Sequence, residues 1–296
     1  MEVETNHQDF IHDVQLDFYG KRLATCSSDR SIKIFEVDGK QQNFIVELKG
    51  HKGPVWQVNW ANPEFGTILA SCSNDGSVII WKEIEKKWIK EFEYTDLKSS
   101  VNSIEWSPTA FGLKLACGSS NGYIAILSYQ EQEWEITKWK AHQIGVNSVS
   151  WEQSIESKKN KQQLVSGGGD GVIRIWRYNK TEGWSQFESL NYHSSWVRCV
   201  AWCKTTGSSK SVIASCSQDK SVVIWTKLNN NEQQNTNKWE YKLISQFSEI
   251  VWNVSWSPTG NILAISIGNS TVSLWKEDQD GEWQNIKFDQ IVEKKL

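Results

Sequence analysis

The residues of this chain whose types could do chemistry are histidine, aspartate and serine, and they recur in a fixed pattern. His7 is followed by Asp29, His51 by Asp75, His142 by Asp170 and His193 by Asp219, at separations of 22 to 28 residues. Ser or Thr residues recur in the same repeats. Such a set could supply a nucleophile, its general base and the carboxylate that orients the base. A hydrolase, however, needs one activated nucleophile in one cleft, beside an oxyanion hole. Four copies in one frame point instead to a task repeated along the chain. Where the His gives way, at Leu97 and Phe247, the Asp gives way too, to Asn121 and Asn269. Joint loss is what a bonded pair predicts, because either member left alone would be a buried polar group without a partner. The four pairs are read as structural, and no residue is assigned to catalysis.

Three other patterns invite chemistry and are better explained by structure. Gly167-Gly168-Gly169-Asp170-Gly171 resembles a phosphate cradle, but a P-loop needs Gly-Lys-Ser/Thr entering a helix. This run enters an apolar, β-branched segment, Val172–Trp176, and aligns with Ser71–Gly76. Cys26, Cys72 and Cys216 share one slot in three copies of a Leu/Ile-Ala-Ser/Thr-Cys-Ser motif. They read as small buried hydrophobes in a reducing compartment. Cys199 and Cys203 have poor ligand spacing, so neither a metal nor another cofactor is expected. Eighteen Trp residues could stack on single-stranded nucleic acid, but that needs a basic groove. The net charge is −3 with both signs interspersed, which excludes a nucleic-acid footprint of that kind. There is no apolar run of membrane-spanning length, and the start, MEVETNHQDF, does not read as a secretory leader.

The elements that must position these residues are short strands. A Val-x-x-Val-x-Trp segment recurs as Val55/Val58/Trp60, Val101/Ile104/Trp106, Val146/Val149/Trp151, Val197/Val200/Trp202 and Val251/Val254/Trp256, with Ile11/Val14/Leu16 a weaker first copy. A second strand closes on Phe35, Trp81, Leu127, Trp176, Trp225 and Trp275, spaced 46 to 50 residues apart. A further apolar segment follows each closing position: Phe44–Leu48, Trp88–Phe92, Trp134–Trp139, Trp184–Leu190, Trp239–Ile244 and Trp283–Phe288. Four strands in each repeat of this length are the signature of a propeller blade. No segment sustains a 3.6-residue period, so helix should be minimal. The expectation is an all-β, six-bladed β-propeller in one domain, 1–296, with blades near 7–48, 49–94, 95–140, 141–190, 191–244 and 245–290. The polar stretches Glu152–Gln163 and Asn229–Asn237 read as solvated loops within it.

The pattern Gly-His…Val-x-x-Val-x-Trp…Leu-Ala-Ser-x-Ser-x-Asp-x-x-Val-x-Ile-Trp is identified as that of the WD40-repeat family. The wording of Tyr19–Asp29, of Gly50–Trp60 with Asn62–Gly66, of Ala141–Asn147 and of Ser194–Arg198 is closer still. It resembles the small propeller subunit of the COPII outer coat, which also serves in the Y-complex of the nuclear pore. A paralogous nuclear-pore propeller shares the first two stretches and matches the later ones less well. The resemblance implies a non-enzymatic scaffold for ER-to-Golgi transport and for the pore, found at the cytoplasmic face of the ER membrane, on coated vesicles and at the nuclear envelope. It implies two partners, the large α-solenoid subunit of the coat and an α-solenoid nucleoporin, with no nucleic acid and only indirect membrane contact. In such proteins the His and Asp of each pair hydrogen-bond and pin the turn between strands.

Closure separates the remaining possibilities. All six repeats carry four strands, and only MEVETN precedes the first, so no surplus strand is left to clasp the ends. The blades could meet edge to edge, or the ring could stay open between blades 1 and 6 and take strands from another chain. The resemblance implies the second, with a blade donated by the solenoid. The residues expected to face it are Val14, Leu16 and Phe18 from the first blade and Leu274, Trp283 and Ile286 from the last. A different class, a peptide-binding adaptor such as a ubiquitin-ligase substrate receptor, would need basic or aromatic residues around the channel. Trp56, Trp196 and Trp252, lying beside the first Val of their strands, are expected there, and Arg198 with Trp196 is the one such cluster.

Overall fold

The computed structural model describes residues 3–38, 41–153, 162–204, 210–228 and 238–286. Its regular structure is twenty-four strands and two single-turn 3-10 segments, Pro63–Phe65 and Thr109–Phe111. The strands form six four-stranded sheets, each an antiparallel meander in chain order. The first holds β1 (Ile11–Leu16), β2 (Arg22–Ser27), β3 (Ser31–Asp38) and β4 (Gln41–Lys49); the second holds β5 (Val55–Trp60), β6 (Ile68–Ser73), β7 (Val78–Ile84) and β8 (Lys87–Tyr94). The third holds β9 (Val101–Trp106), β10 (Lys114–Ser119), β11 (Tyr123–Gln130) and β12 (Glu133–Lys140). The fourth holds β13 (Val146–Trp151), β14 (Gln163–Gly168), β15 (Val172–Asn179) and β16 (Gly183–Asn191). The fifth holds β17 (Val197–Trp202), β18 (Lys210–Ser217), β19 (Ser221–Leu228) and β20 (Glu240–Gln246). The sixth holds β21 (Val251–Trp256), β22 (Leu263–Ile267), β23 (Thr271–Glu277) and β24 (Trp283–Ile286). These are the six blades of an all-β, WD40-type propeller fold. Most of the expected loops Glu152–Gln163 and Asn229–Asn237 lie outside the described residues, as do Phe288 at the end of the last expected strand and the far end of the last expected blade.

The chain divides into two compact units, Met1–Val146 and Asn147–Leu296, with the boundary at the start of β13. Within the first unit, Cys26, Ile32 and Ile34 of the first blade pack on Val55, Val58 and Leu69 of the second. Cys72, Val78 and Ile80 of the second blade pack in turn with Val101 and Ile104 of the third. The second unit repeats this order, with Ile173 and Ile175 against Val197 and Val200, then Val222 and Ile224 against Val251 and Val254. Small residues in the second strand of each blade allow this close stacking. At Gly167 a Cβ would lie 2.6 Å from Cγ1 of Val197. The glycine run is therefore the end of β14 and a tight turn into β15, spaced to admit the next blade's valine.

Turn chemistry follows the repeat. Gly122 has φ +83°, and a Cβ there would lie 2.1 Å from the carbonyl oxygen of His142. Its own carbonyl accepts the N–H groups of Ala141 and His142, at 2.8 and 3.0 Å. Only glycine offers both the left-handed conformation and the close approach.

Candidate partner interface

Three of the pairing motifs are relays of hydrogen bonds. In the second blade the Trp81 indole N–H donates to Ser71 Oγ at 2.9 Å, and Ser71 Oγ lies 2.7 Å from His51 Nε2. His51 Nδ1 lies 2.8 Å from Ser77 Oγ, which donates to Asp75 Oδ1 at 2.5 Å. His51 and Asp75 themselves stand 3.6 Å apart, so here a serine bridges the pair. The first and fifth blades have direct contacts as well, His7 Nδ1 to Asp29 Oδ2 at 2.8 Å and His193 Nδ1 to Asp219 Oδ2 at 3.1 Å. Their outer nitrogens reach Thr25 and Ser215 at 2.9 Å. His142 is buried, while Asp170 accepts from Arg174 Nη1 at 2.8 Å and from the Val172 N–H at 3.2 Å. Burial alone would raise the Asp75 and Asp219 carboxyls. Hydrogen bonds from imidazole, serine hydroxyl and backbone N–H groups outweigh it and hold both below the usual carboxylate range, as they do for Asp29. Thr25, Ser71 and Ser215 are fully buried, so no substrate can reach the hydroxyl a triad would use.

The first strands carry a second set of bonds that links successive blades. Val58 N–H donates to Asp13 Oδ2 at 3.2 Å, Ile104 N–H to Gln57 Oε1 at 2.8 Å, and Trp106 N–H to Asn59 Oδ1 at 3.2 Å. In the second unit, Val200 and Trp202 N–H donate to Ser148 and Ser150 Oγ, at 3.1 and 3.0 Å. The indoles of Trp60, Trp106 and Trp256 donate to main-chain carbonyls of the preceding blade, at Gln15, Asn59 and Ala201. Within each unit, an earlier first strand thus offers acceptors to the first strand that follows it.

β1 offers acceptors but is not equipped to receive. Its Trp slot holds Leu16, which has no indole N–H, and its Val14 N–H donates to its own Asp13 at 2.9 Å. Val14 is 53% exposed, whereas Val58 in the same slot of the second blade is 0% exposed, and Ile104, Val149, Val200 and Val254 are all buried. Ile11, Leu16, Phe18, Phe10 and Tyr19 are exposed as well. In the last blade Val272 is 55% exposed, although Ile32, Val78, Ile124, Ile173 and Val222 are fully buried in that slot. Leu274 is half-buried where its five counterparts are buried, and it pairs with the half-buried Ile286 across the β23–β24 ladder. Trp283 is spent inside its own blade, with its ring 5.8 Å from that of Trp256. Val272 of the last blade is thus presented to water, and sequence reasoning passed over it because nothing in its slot distinguishes it from its buried counterparts. Val14, Leu16 and Phe18 of the first blade are each exposed.

Two comparisons bear on what kind of molecule carries these surfaces. The WD40 profile, described as "WD domain, G-beta repeat", matches residues 2–36, 42–82, 134–177, 184–226 and 241–276. The chain is 57% identical over 296 residues to "Protein transport protein sec13" of Neurospora crassa, covering 96% of this chain and 95% of that protein. The chain belongs to the SEC13 family of WD40-repeat proteins. The human relative, "Protein SEC13 homolog", is 52% identical over 294 residues, which is 95% of this chain and 90% of that protein. "Protein transport protein SEC13" of Yarrowia lipolytica is 44% identical over 296 residues, 96% of this chain and 97% of that protein. The longest stretch without a profile match, 83–133, holds most of the third blade, where Leu97, Asn121 and Leu127 replace the His, the Asp and the closing aromatic residue. There Asn121 Nδ2 donates to the Leu97 carbonyl at 2.7 Å, and its Oδ1 accepts the Tyr123 N–H at 3.3 Å. The turn is held without a histidine.

Proposed function

We propose that this protein is a non-enzymatic scaffold in protein transport, whose first and last blades are completed by strands of a larger α-solenoid partner. The observation that carries this reading is the exposure of Val14 in a slot that is buried in every other blade. Covering a side chain of this size removes it from water and contributes about 1.5–3 kcal/mol. Ile11, Val14 and Leu16 together therefore offer substantial stabilisation to a chain that covers them. Extended strands suit the task, because main-chain pairing gives affinity and alternating side chains give register. The relatives are named for protein transport, which supports the same role here. The finer expectations belong to the proposal: a place in the COPII cage at the cytoplasmic face of the ER and on coated vesicles, and in the nuclear-pore Y-complex. The solenoid partners would be a coat subunit and a nucleoporin, and membrane contact would be indirect.

The mechanism is geometric, with the blades supplying stiffness and the partner supplying reach. Affinity purification of the full chain and of its Val14→Glu/Leu16→Glu variant, with mass spectrometry of what is recovered, tests the reading. The expected result is that helical-repeat coat or pore subunits accompany the wild type and are lost from the variant, whose melting temperature alone is unchanged. Recovery of the same partners by both proteins would contradict it.

A further inference from the structure

The second unit contains an arginine held between two exposed indoles. Arg198 follows Val197, the point at which the β17–β18 register slips between Val197 and Cys199. The equivalent slip in the sixth blade, between Val251 and Asn253, isolates Trp252. A bulge of this kind turns the extra residue out of the alternation and re-aims its side chain. The two bulges and the adjacent Trp196 converge. The Arg198 guanidinium carbon lies 5.1 Å from the Trp196 ring centre and 4.6 Å from that of Trp252. Both distances are within cation–π range. The two indoles are 44% and 50% exposed, unlike the buried tryptophans of the strand slots.

The guanidinium itself is under-served. Nη2 donates to Gln218 Oε1 at 2.9 Å, but Nε is buried without a hydrogen-bond acceptor. Among the described residues, no carboxylate forms an ion pair with Arg198. A half-buried cation kept without a counter-ion is costly. The flanking rings offset part of that cost, yet burial still pulls the guanidinium below its usual range.

We infer that Trp196, Arg198 and Trp252 form a binding site for an acidic linear peptide. The ligand's Asp or Glu carboxylate would take the terminal Nη donors of Arg198, and a neighbouring apolar side chain would lie on the indoles. Three features select this ligand over others. Arginine's planar donors match a carboxylate in a two-pronged geometry. Aromatic residues and arginine are the side chains that dominate the energy of small recognition sites. Among the described residues no carboxylate serves this cation, so the complementary charge is assigned to the ligand. This site is separate from the exposed β1 surface in residues and in chemistry, and it does not depend on the scaffold reading.

Panning an octapeptide display library against the immobilised full chain, in parallel with its Arg198→Gln variant, tests the assignment. The expected result is enrichment of sequences with an Asp or Glu beside an apolar residue on the wild type and none on the variant. The leading peptide, labelled and titrated by anisotropy, should lose at least tenfold in affinity to Arg198→Gln. It should lose about fivefold to Trp252→Ala, and its Asn/Gln version should not bind the wild type. Trp252→Ala, at an exposed ring, keeps the test decisive if Arg198→Gln does not fold. No enrichment on the wild type, equal enrichment on wild type and variants, or binding indifferent to the carboxylate would each overturn the inference.

Discussion

At the scale of single residues, the chain sets two kinds of aspartate against each other. Asp29, Asp75 and Asp219 have carboxyls held low by donors. A carboxyl depressed by folding contributes stability above its unfolded pKa, and that stability is lost as pH falls through and below about 4. Asp13 is the opposite case. Burial pushes it up to about 6, against the hydrogen bonds it accepts from Val58 and Val14 N–H. A group raised in this way makes the native state bind the extra proton, so stability falls as pH rises from about 4 to about 6. The loss is of order 2 kcal/mol once the remaining exposure is discounted. Urea unfolding of wild type and Asp13→Asn at pH 4 and pH 7 should show that penalty in the wild type and not in the variant. His12, pushed down by burial, is present in both proteins. Ser71 is a second test, because it serves both His51 Nε2 and the Trp81 indole. Ser71→Ala should cost about 2–3 kcal/mol in denaturant unfolding, by leaving buried polar groups unsatisfied. A triad reading would place the loss in activity and leave stability alone.

At the scale of strands and blades, the same slot has different value in different copies. Val58→Ala should cost about 2 kcal/mol or more, because it opens a cavity beside Ile32 and Ile34, whereas Val14→Ala in the isolated chain should fall within about 0.5 kcal/mol of zero. Equal losses measured by thermal unfolding would mean that β1 is covered after all. Gly122→Ala should destabilise by well over 1 kcal/mol, since it meets both a left-handed φ and a backbone oxygen. The blades themselves were legible in the sequence because the slots repeat with a fixed period, so that each strand is attested five or six times over. The glycine run was legible for the same reason, since it aligned with Ser71–Gly76. What the repeat could not disclose is where a copy departs in its surroundings. Val272 is an ordinary strand valine by type, and its exposure is not written in its slot. Trp283 looked available by type and is occupied by Trp256. The 3.6 Å gap that leaves a serine to bridge His51 and Asp75 is one that no spacing encodes. Arg198 with Trp196 was legible as a cluster, but the approach of Trp252 to the same guanidinium depends on two register slips, which leave little trace in a pattern of alternating residues.

At the scale of the whole molecule, the account rests on repetition and its interruption. Blades within each unit are joined by apolar faces and by side-chain acceptors passed forward from strand to strand. That chain of contacts is directional, and β1 stands at its start with Leu16 in place of an indole and Val14 in water. On the proposed function, a partner's strands supply what β1 does not receive within its own unit. The most direct test puts a photo-crosslinking amino acid at position 14 or at position 272 of the full-length protein in the cell. The account predicts that both positions capture the same helical-repeat transport subunit. Crosslinks from position 14 that land on this chain's own last blade, or partners that differ between the two positions, would contradict it.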